Sequence, residues 1–150
     1  MAHDVVSLGN PLMDILIDVE EGFLKELNLV KGNMHLLNKE EIKKIEEKLD
    51  QNNIKLAPGG SEANTLATLS MLGHKTVYFG KVGKDEHGKQ YHKKLLEHGV
   101  ISKVIKVDGM TGIAITFITP DSERTFATHL GVSVLLEDRS EEHTSELQSR

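Results

Sequence analysis

Residues 57–73 read APGGSEANTLATLSMLG, in which Pro58 and two glycines stand directly before a helix-forming run. Glycine weakens a helix through its backbone entropy and proline lacks an N–H donor, so the helix is predicted to begin after them. Ser61 is the predicted N-cap, and Gly73 is predicted to end the helix. The segment therefore predicts a strand-to-helix turn with bare backbone, which is either a plain turn or a place where a ligand approaches closely.

Strands and helices are predicted to alternate on both sides of this segment. The predicted helices are EGFLKELNL, NKEEIKKIEEKLDQNN and KDEHGKQYHKKLLEHG, and the predicted strands are VVSLGN, LMDILIDV, KGNMHLL, IKLAPG, KTVYFGKV, VISKVIKV, GIAITFITP and RTFATHLGVSV. This order favours an α/β fold with a mainly parallel sheet flanked by helices. Asn38 and Glu41 predict a capping box on the second helix. The last two strands flank a turn at residues 119–122 and are predicted to form an antiparallel hairpin in a small second sheet.

The bulk composition is that of one soluble domain. The chain has 150 residues, of which 38% are hydrophobic and 27% charged, as is typical of globular proteins. A formal net charge of -5 and an aromatic content of 4% disfavour a nucleic-acid partner, because there is neither a basic block nor a set of stacking platforms. There is no cysteine, no apolar run of membrane-spanning length and no segment that reads as a signal peptide. We therefore expect a cytoplasmic protein without a membrane partner.

Motifs of several other classes are incomplete or absent. Residues 83–90, GKDEHGKQ, match part of a phosphate-binding loop, but Gln90 replaces the hydroxyl residue that holds magnesium, and two carboxylates stand where phosphate would lie. Asp85 is predicted instead to cap the following helix. Neither a G-x-S-x-G nucleophile elbow nor a G-x-G-x-x-G dinucleotide fingerprint occurs. The spacing of His87, His92 and His98 does not place two metal ligands on one helix face, so surface histidines in contact with solvent are predicted.

Two polar clusters follow predicted strands. Asn10 and Asp14 come after the first strand, and Gly59, Gly60 and Asn64 come after a later one. Ligands of α/β sheets bind beyond the carboxyl ends of strands, and a carboxylate, an amide and bare glycine backbone suit a polyhydroxylated ligand such as a sugar or ribose. The alternative is a helix cap at Asn10 and a plain turn at the glycines.

Four motifs carry a family resemblance: GNPLMD, PGGSEANTLATLSMLG, FGKVGKDEHG and GMTGIAITFITPDSERTFATHLG, in this order. Together they resemble the N-terminal half of the PfkB, or ribokinase-like, carbohydrate kinases, and the adenosine kinase branch in particular. The resemblance spans residues 5–136. Glu62 and Leu66 stand where the family usually has small residues, which concerns the shape of the sugar pocket.

The resemblance implies a substrate site formed by Asn10, Asp14, Gly59, Gly60, Asn64 and Arg124. In this family, the residues that match Asp14 and Asn64 bind the sugar hydroxyls, and the glycines line the sugar. Arg124 would lie near the transferred phosphate, or else it is an exposed turn arginine. The runs ILIDV, NMHLL and GIAITFI would form a small β-sheet lid that closes over the substrate, and lid sheets imply a possible homodimer.

The family's catalytic base, an Asp in a late G-A-G-D motif, is absent from these 150 residues. The resemblance thus implies a parent kinase that uses ATP and Mg²⁺ to phosphorylate a nucleoside, with no catalytic, cofactor-binding or metal-binding residue in this chain. As a fragment, the chain is expected to be inactive. The alternatives are a kinase for a free sugar such as ribose or fructose, and a non-catalytic sugar-binding or dimerisation module.

The end of the chain differs from the rest. Residues 139–150, RSEEHTSELQSR, have almost no apolar content and resemble the conceptual translation of an adapter used in sequencing libraries. We therefore expect residues 1–138 to be the N-terminal part of a PfkB-type domain and residues 139–150 to be a non-native polar tail.

Overall fold

The structure is a computed structural model and describes residues 2–136. The predicted polar tail at residues 139–150 lies outside the described residues. In the described part, the strands are β1 (Val5–Leu8), β2 (Leu12–Asp18), β3 (Met34–Leu36), β4 (Ile54–Gly59), β5 (Thr76–Gly83), β6 (Ile101–Val107), β7 (Gly112–Ile118) and β8 (Arg124–His129). The α-helices are α1 (Glu21–Glu26), α2 (Lys39–Glu46), α3 (Ser61–Met71) and α4 (Glu86–Glu97), and a 3-10 helix spans Gly131–Leu136. None of these helices is long and apolar enough to cross a membrane.

The strands form two sheets. One is a three-stranded parallel sheet in the order β1-β5-β6, and the other is a five-stranded mixed sheet in the order β3-β8-β7-β2-β4. The predicted α/β class is confirmed, as is the antiparallel hairpin of β7 and β8, whose turn is closed by a hydrogen bond from Ser122 N to Thr119 O of 2.8 Å. The three runs expected to share a lid sheet, β2, β3 and β7, do lie in one sheet. That sheet is larger than predicted, because β4 pairs with β2 rather than with β1.

The chain passes between the two sheets at three connections. It leaves the parallel sheet after β1 through residues 9–11, returns after β4 through Gly60 and α3, and leaves again after β6 through residues 108–111. Two of these connections carry the polar clusters recognised in the sequence. The clusters therefore lie at the junction of the two sheets, near the carboxyl ends of the parallel strands, where α/β proteins bind ligands.

Helices α1 and α2 belong to the core that covers one face of the five-stranded sheet. Alternate residues of β2, including Met13 and Ile15, are buried and share a core with Leu24 and Ile42 of these helices. The capping box predicted for α2 is confirmed, since Asn38 Oδ1 accepts from the Glu41 amide at 2.9 Å while the Glu41 carboxylate accepts from the Asn38 amide at 2.8 Å. The opposite face of the sheet carries Asp14, which is half-buried.

One face of the parallel sheet is only partly covered in the described part of the chain. Val77 and Lys81 on this face are buried, and Lys81 donates to the Leu135 carbonyl of the 3-10 helix. The rest of the face exposes Lys103 and five apolar side chains that are between 38% and 65% exposed: Val6, Leu8, Phe79, Ile101 and Ile105. Parallel sheets normally have both faces covered, because their crossover connections lie on both sides. This exposed face is therefore unusual for a complete α/β domain.

Several predictions about element ends are wrong. The helix predicted over residues 38–53 ends at Glu46. Ser61 is the first residue of α3 and not its N-cap; the N-cap is Gly60, with a φ of +98°, which has no side chain to cap the helix. The predicted strand RTFATHLGVSV ends at His129, because Gly131 adopts a φ of +55° and the chain turns into the 3-10 helix. By contrast, Gly73 ends α3 as predicted, with a φ of +93°.

Candidate functional site

The carboxylate of Asp14 lies directly against the backbone of Gly59. In the antiparallel pair of β2 and β4, Leu12 faces Gly59 and Asp14 faces Ala57. A Cβ atom built on Gly59 would overlap the Asp14 carboxylate, so only glycine leaves room for this side chain. The carboxylate is half-buried, and burial raises its pKa to about 6 from an ordinary value of 3.8. Asp14 is thus a partly desolvated acceptor that rests on bare backbone.

Gly60 brings the second polar cluster against the first. Its φ of +98° lies in the region that favours glycine, and a Cβ atom at this position would be 3.3 Å from the carbonyl oxygen of Asn10. The turn between β1 and β2 therefore contacts the turn between β4 and α3. The structure brings together four residues that the sequence analysis singled out, Asn10, Asp14, Gly59 and Gly60.

Asn64 lies on the first turn of α3, close to these glycines. Its amide donates to the Gly60 carbonyl at 3.1 Å, and its side chain is exposed. Since the N-cap residue of α3 is Gly60, which has no side chain to cap the helix, the first backbone N–H groups of α3 are available as donors toward the same place. The site thus combines a carboxylate acceptor, an exposed amide and helix N–H donors, which together can bind the hydroxyl groups of a polyol.

Arg124 lies elsewhere on the same face of the five-stranded sheet. Asp14 aligns with Ala114 of β7, whereas Arg124 aligns with Ile118, four residues further along that strand. Four residues correspond to about 13 Å along the sheet, and β8 is also two strands away from β2. Arg124 is exposed and is not brought to the glycine turns.

Two buried tyrosines and Glu62 lie beside the turns, and none of the three was predicted from the sequence to bind substrate. Tyr91 of α4 donates its hydroxyl to the carbonyl of Gly59 at 2.8 Å. A Cβ atom on Gly9 would lie 2.8 Å from the hydroxyl of Tyr78 and 3.0 Å from a carboxylate oxygen of Glu62. Only the family resemblance drew attention to Glu62, and the tyrosines resemble ordinary core residues because they occupy apolar positions of α4 and β5.

The loop at residues 83–90 has a structural role that agrees with the predicted cap. Asp85 accepts from the Gly88 amide at 2.9 Å, and it also accepts from the amide and the hydroxyl of Thr111, at 2.8 and 2.5 Å. Burial alone would raise the pKa of Asp85, but these hydrogen bonds hold it below its ordinary value. Through these hydrogen bonds, Asp85 joins the start of α4 to the connection between β6 and β7.

The histidines of α4 are less exposed than predicted. The ring of His87 is partly buried against the carboxylate of Glu46, whose hydrogen bond raises the pKa of the imidazole. His92 is also partly buried and lies 2.8 Å from the hydroxyl of Ser102. Among residues 2–136, no group of three or more His, Asp or Glu side chains is arranged to hold a metal ion.

A separate concavity lies between α1, α2 and β3. Its volume is about 520 Å³, and its lining includes Leu27, His35, Leu37 and Lys44. None of the residues predicted from the sequence to bind substrate lines it. It is therefore a suitable comparison site for ligand-binding measurements.

Solved structures that are similar to this chain include adenosine kinases. The chain superposes on adenosine kinase from Sinorhizobium meliloti with a TM-score of 0.75 and 33% identity, covering 89% of this chain and 41% of that one. Adenosine kinase from Anopheles gambiae gives a TM-score of 0.74 at 25% identity, with 86% of this chain and 41% of that chain covered.

Sequence relatives include kinases for two kinds of acceptor. Adenosine kinase from Saccharomyces cerevisiae is 30% identical over 140 residues, which is 89% of this chain and 41% of the relative. Probable fructokinase-5 from Arabidopsis thaliana is 38% identical over 72 residues, 47% of this chain and 22% of the relative. The chain thus spans less than half of the length of these relatives. The pfkB family carbohydrate kinase model matches residues 26–150, and the chain belongs to this family.

Proposed function

We propose that this chain forms the substrate-binding half of an ATP-dependent kinase that phosphorylates a nucleoside, as adenosine kinases do. The observation that carries the proposal is the placement of the Asp14 carboxylate on the bare backbone of Gly59, beside the uncapped start of α3. Carboxylate oxygens accept from two neighbouring hydroxyls, while helix amides and Asn64 donate to the hydroxyl oxygens. A ribose with adjacent hydroxyls matches this arrangement of donors and acceptors.

In the proposed reaction, the 5′-oxygen of the nucleoside forms a bond to the γ-phosphorus of ATP while the bond from that phosphorus to the β–γ bridging oxygen breaks. The proton of the hydroxyl passes to a base outside this chain, and ATP with Mg²⁺ is held by the part of the family domain that the chain does not cover. The residues described here bind and orient the acceptor sugar. The five-stranded sheet acts as the lid that excludes water from the reacting groups.

Because the base and the ATP site lie outside this chain, the isolated chain is inactive as a kinase. This expected inactivity is supported by the absence of a G-A-G-D motif and by the exposed apolar side chains on one face of the parallel sheet, which suit packing against further α/β structure. We expect no phosphoryl transfer from ATP to adenosine, ribose or fructose by the purified chain. Kinase turnover by the purified chain that is lost in Asp14→Ala would contradict this proposal.

A free sugar is the second candidate acceptor. The identity to probable fructokinase-5, 38% over 72 residues, favours it. The two candidates are separated by competition binding of adenosine, ribose and fructose to the chain. Preferential binding of adenosine supports the nucleoside, and preferential binding of fructose supports the sugar.

A non-catalytic module that dimerises through the lid sheet is the third candidate. Its support is the edge strand β3, on which Met34 is 72% and Leu36 is 66% exposed. Sedimentation of the chain and of a Met34→Lys variant tests this candidate. A dimer that the substitution dissociates supports it, and a monomer in both samples counts against it.

A further inference from the structure

The chain contains two tyrosines, and they lie next to each other beneath the candidate site. Tyr78 of β5 and Tyr91 of α4 are both fully buried, with ring centroids 6.0 Å apart and an angle of 48° between the rings. Both rings therefore fill the same part of the core. Their hydroxyl groups differ in what they contact, and that difference separates a packing role from a positioning role.

Tyr91 makes its hydrogen bond to the residue on which Asp14 rests. Its hydroxyl donates to the Gly59 carbonyl at 2.8 Å, one residue before the positive-φ turn at Gly60. In the described part of the chain, β4 is an edge strand that pairs with β2 alone, so few other bonds hold its last residue in place. The bond from α4 therefore restrains the turn that brings Gly59, Gly60 and α3 to the site.

Tyr78 provides the contrasting case. Its hydroxyl is buried and has no hydrogen-bond partner among residues 2–136. Burial raises the pKa of Tyr78 to about 12; the neighbouring Tyr91 hydroxyl lowers this pKa in part, and the negative charge of Glu62 raises it slightly. Removing the hydroxyl of Tyr78 takes no donor away from the backbone of the turn, whereas removing the hydroxyl of Tyr91 leaves the buried Gly59 carbonyl without this donor.

We propose that Tyr91 is a positioning residue of the sugar site. Its hydrogen bond fixes the position of the Gly59 carbonyl, and this keeps the Asp14 carboxylate in contact with the glycine turn. The role rests on the proposed function, because it concerns the same acceptor site. Tyr91 itself is fully buried and does not touch the ligand. Its effect reaches the ligand through Gly59 and Asp14.

The test compares Tyr91→Phe with Tyr78→Phe, two changes that each remove one buried hydroxyl and keep the ring. The first readout is the affinity of the chain for adenosine, ribose and fructose. We expect Tyr91→Phe to weaken binding of the preferred ligand about three- to tenfold, and Tyr78→Phe to leave it within about twofold. Unchanged affinity in Tyr91→Phe, or an equal loss in both variants, would overturn the positioning role.

The second readout is independent of any ligand. The pH titration of the Asp14 carboxyl carbon, followed by ¹³C NMR, has an expected midpoint near 6 in the wild type. In Tyr91→Phe the loosened turn admits water, so the midpoint should move toward the ordinary value, while Tyr78→Phe should leave it in place. An unmoved midpoint in Tyr91→Phe overturns the inference. If the wild type binds none of the three ligands, the proposed function fails, and this titration still decides whether Tyr91 positions Asp14.

Discussion

The Asp14 carboxylate occupies the space that a side chain on Gly59 would need. Gly59→Ala is therefore expected to push the carboxylate off the turn and to abolish detectable binding of the sugar ligand. The binding constant of the variant, measured by calorimetry or by NMR titration, checks this expectation. Because Gly59 is also buried, some loss of stability should accompany the loss of binding.

Gly22→Ala is the matched control for this substitution. Gly22 lies in α1, where a Cβ atom would have nothing within 4 Å and the backbone conformation is helical. The change should leave ligand affinity unaltered and raise the free energy of unfolding by about 0.5–1 kcal/mol. Wild-type affinity in Gly59→Ala would show that the ligand does not use Asp14 in its observed position.

Ligand affinity should depend on pH through Asp14. The ionised carboxylate accepts two hydroxyls, whereas the protonated form has lost acceptor capacity. With a pKa of about 6, only about one molecule in ten is ionised at pH 5, so the affinity should be about tenfold lower there than at pH 8. Asp14→Asn should bind weakly with no such dependence, and a wild-type affinity that stays constant from pH 5 to pH 8 would exclude Asp14 as the acceptor.

The same carboxyl group should make stability fall as the pH rises. Its pKa is about 6 in the folded chain and 3.8 ordinarily, so the folded state retains a proton that the unfolded state has released. The stabilisation is complete below about pH 4 and is lost as the pH rises through about 6. Urea unfolding measures the free energy of unfolding of the wild type and of Asp14→Asn. As the pH rises across this range, the wild type should become less stable relative to the variant. A difference between the two that does not change with pH would refute the shifted pKa.

Asp85 should contribute to stability rather than to ligand contact. Asp85→Ala removes the acceptor of three hydrogen bonds, two from Thr111 and one from Gly88, and should lower the free energy of unfolding by about 1–3 kcal/mol. Lys84→Ala is the control, because its ion pair with Asp108 is exposed, and its effect should stay within about 0.5 kcal/mol. Equal urea midpoints for Asp85→Ala and the wild type would contradict the structural role.

Local sequence signals predicted the features that depend on neighbours in the chain. The capping box of Asn38, the cap at Asp85 and the helix end at Gly73 follow from hydrogen bonds within a few residues, and the structure contains all three. The prediction for Ser61 was wrong because Gly60, whose positive φ turns the chain directly after β4, takes the N-cap position, and Ser61 is already helical. Propensity alone cannot locate that change of direction.

Long-range contacts were not predictable from the pattern of residues. Strands β1 and β2 are separated by only three residues, yet they belong to different sheets, because the chain crosses the junction at residues 9–11. The bond from Tyr91 to Gly59 joins residues 32 positions apart, and the tyrosine occupies an apolar helix position that looks like ordinary core. Asn10 and Gly60 also come into contact because the chain crosses between the two sheets at residues 9–11. The candidate residues could thus be named from sequence, whereas the groups that hold them in place required the fold.

We propose that the turn at Gly59 and Gly60, together with Asp14, binds the hydroxyls of a sugar. The most direct measurement is an NMR titration of adenosine into the ¹⁵N-labelled chain, with Asp14→Asn measured in parallel. We predict saturable amide shifts at Asn10, Gly60 and Asn64 that disappear in the variant. Amide shifts that persist in Asp14→Asn, or that occur only around His35 and Leu37 in the separate concavity, would show that Asp14 and this turn do not bind the sugar.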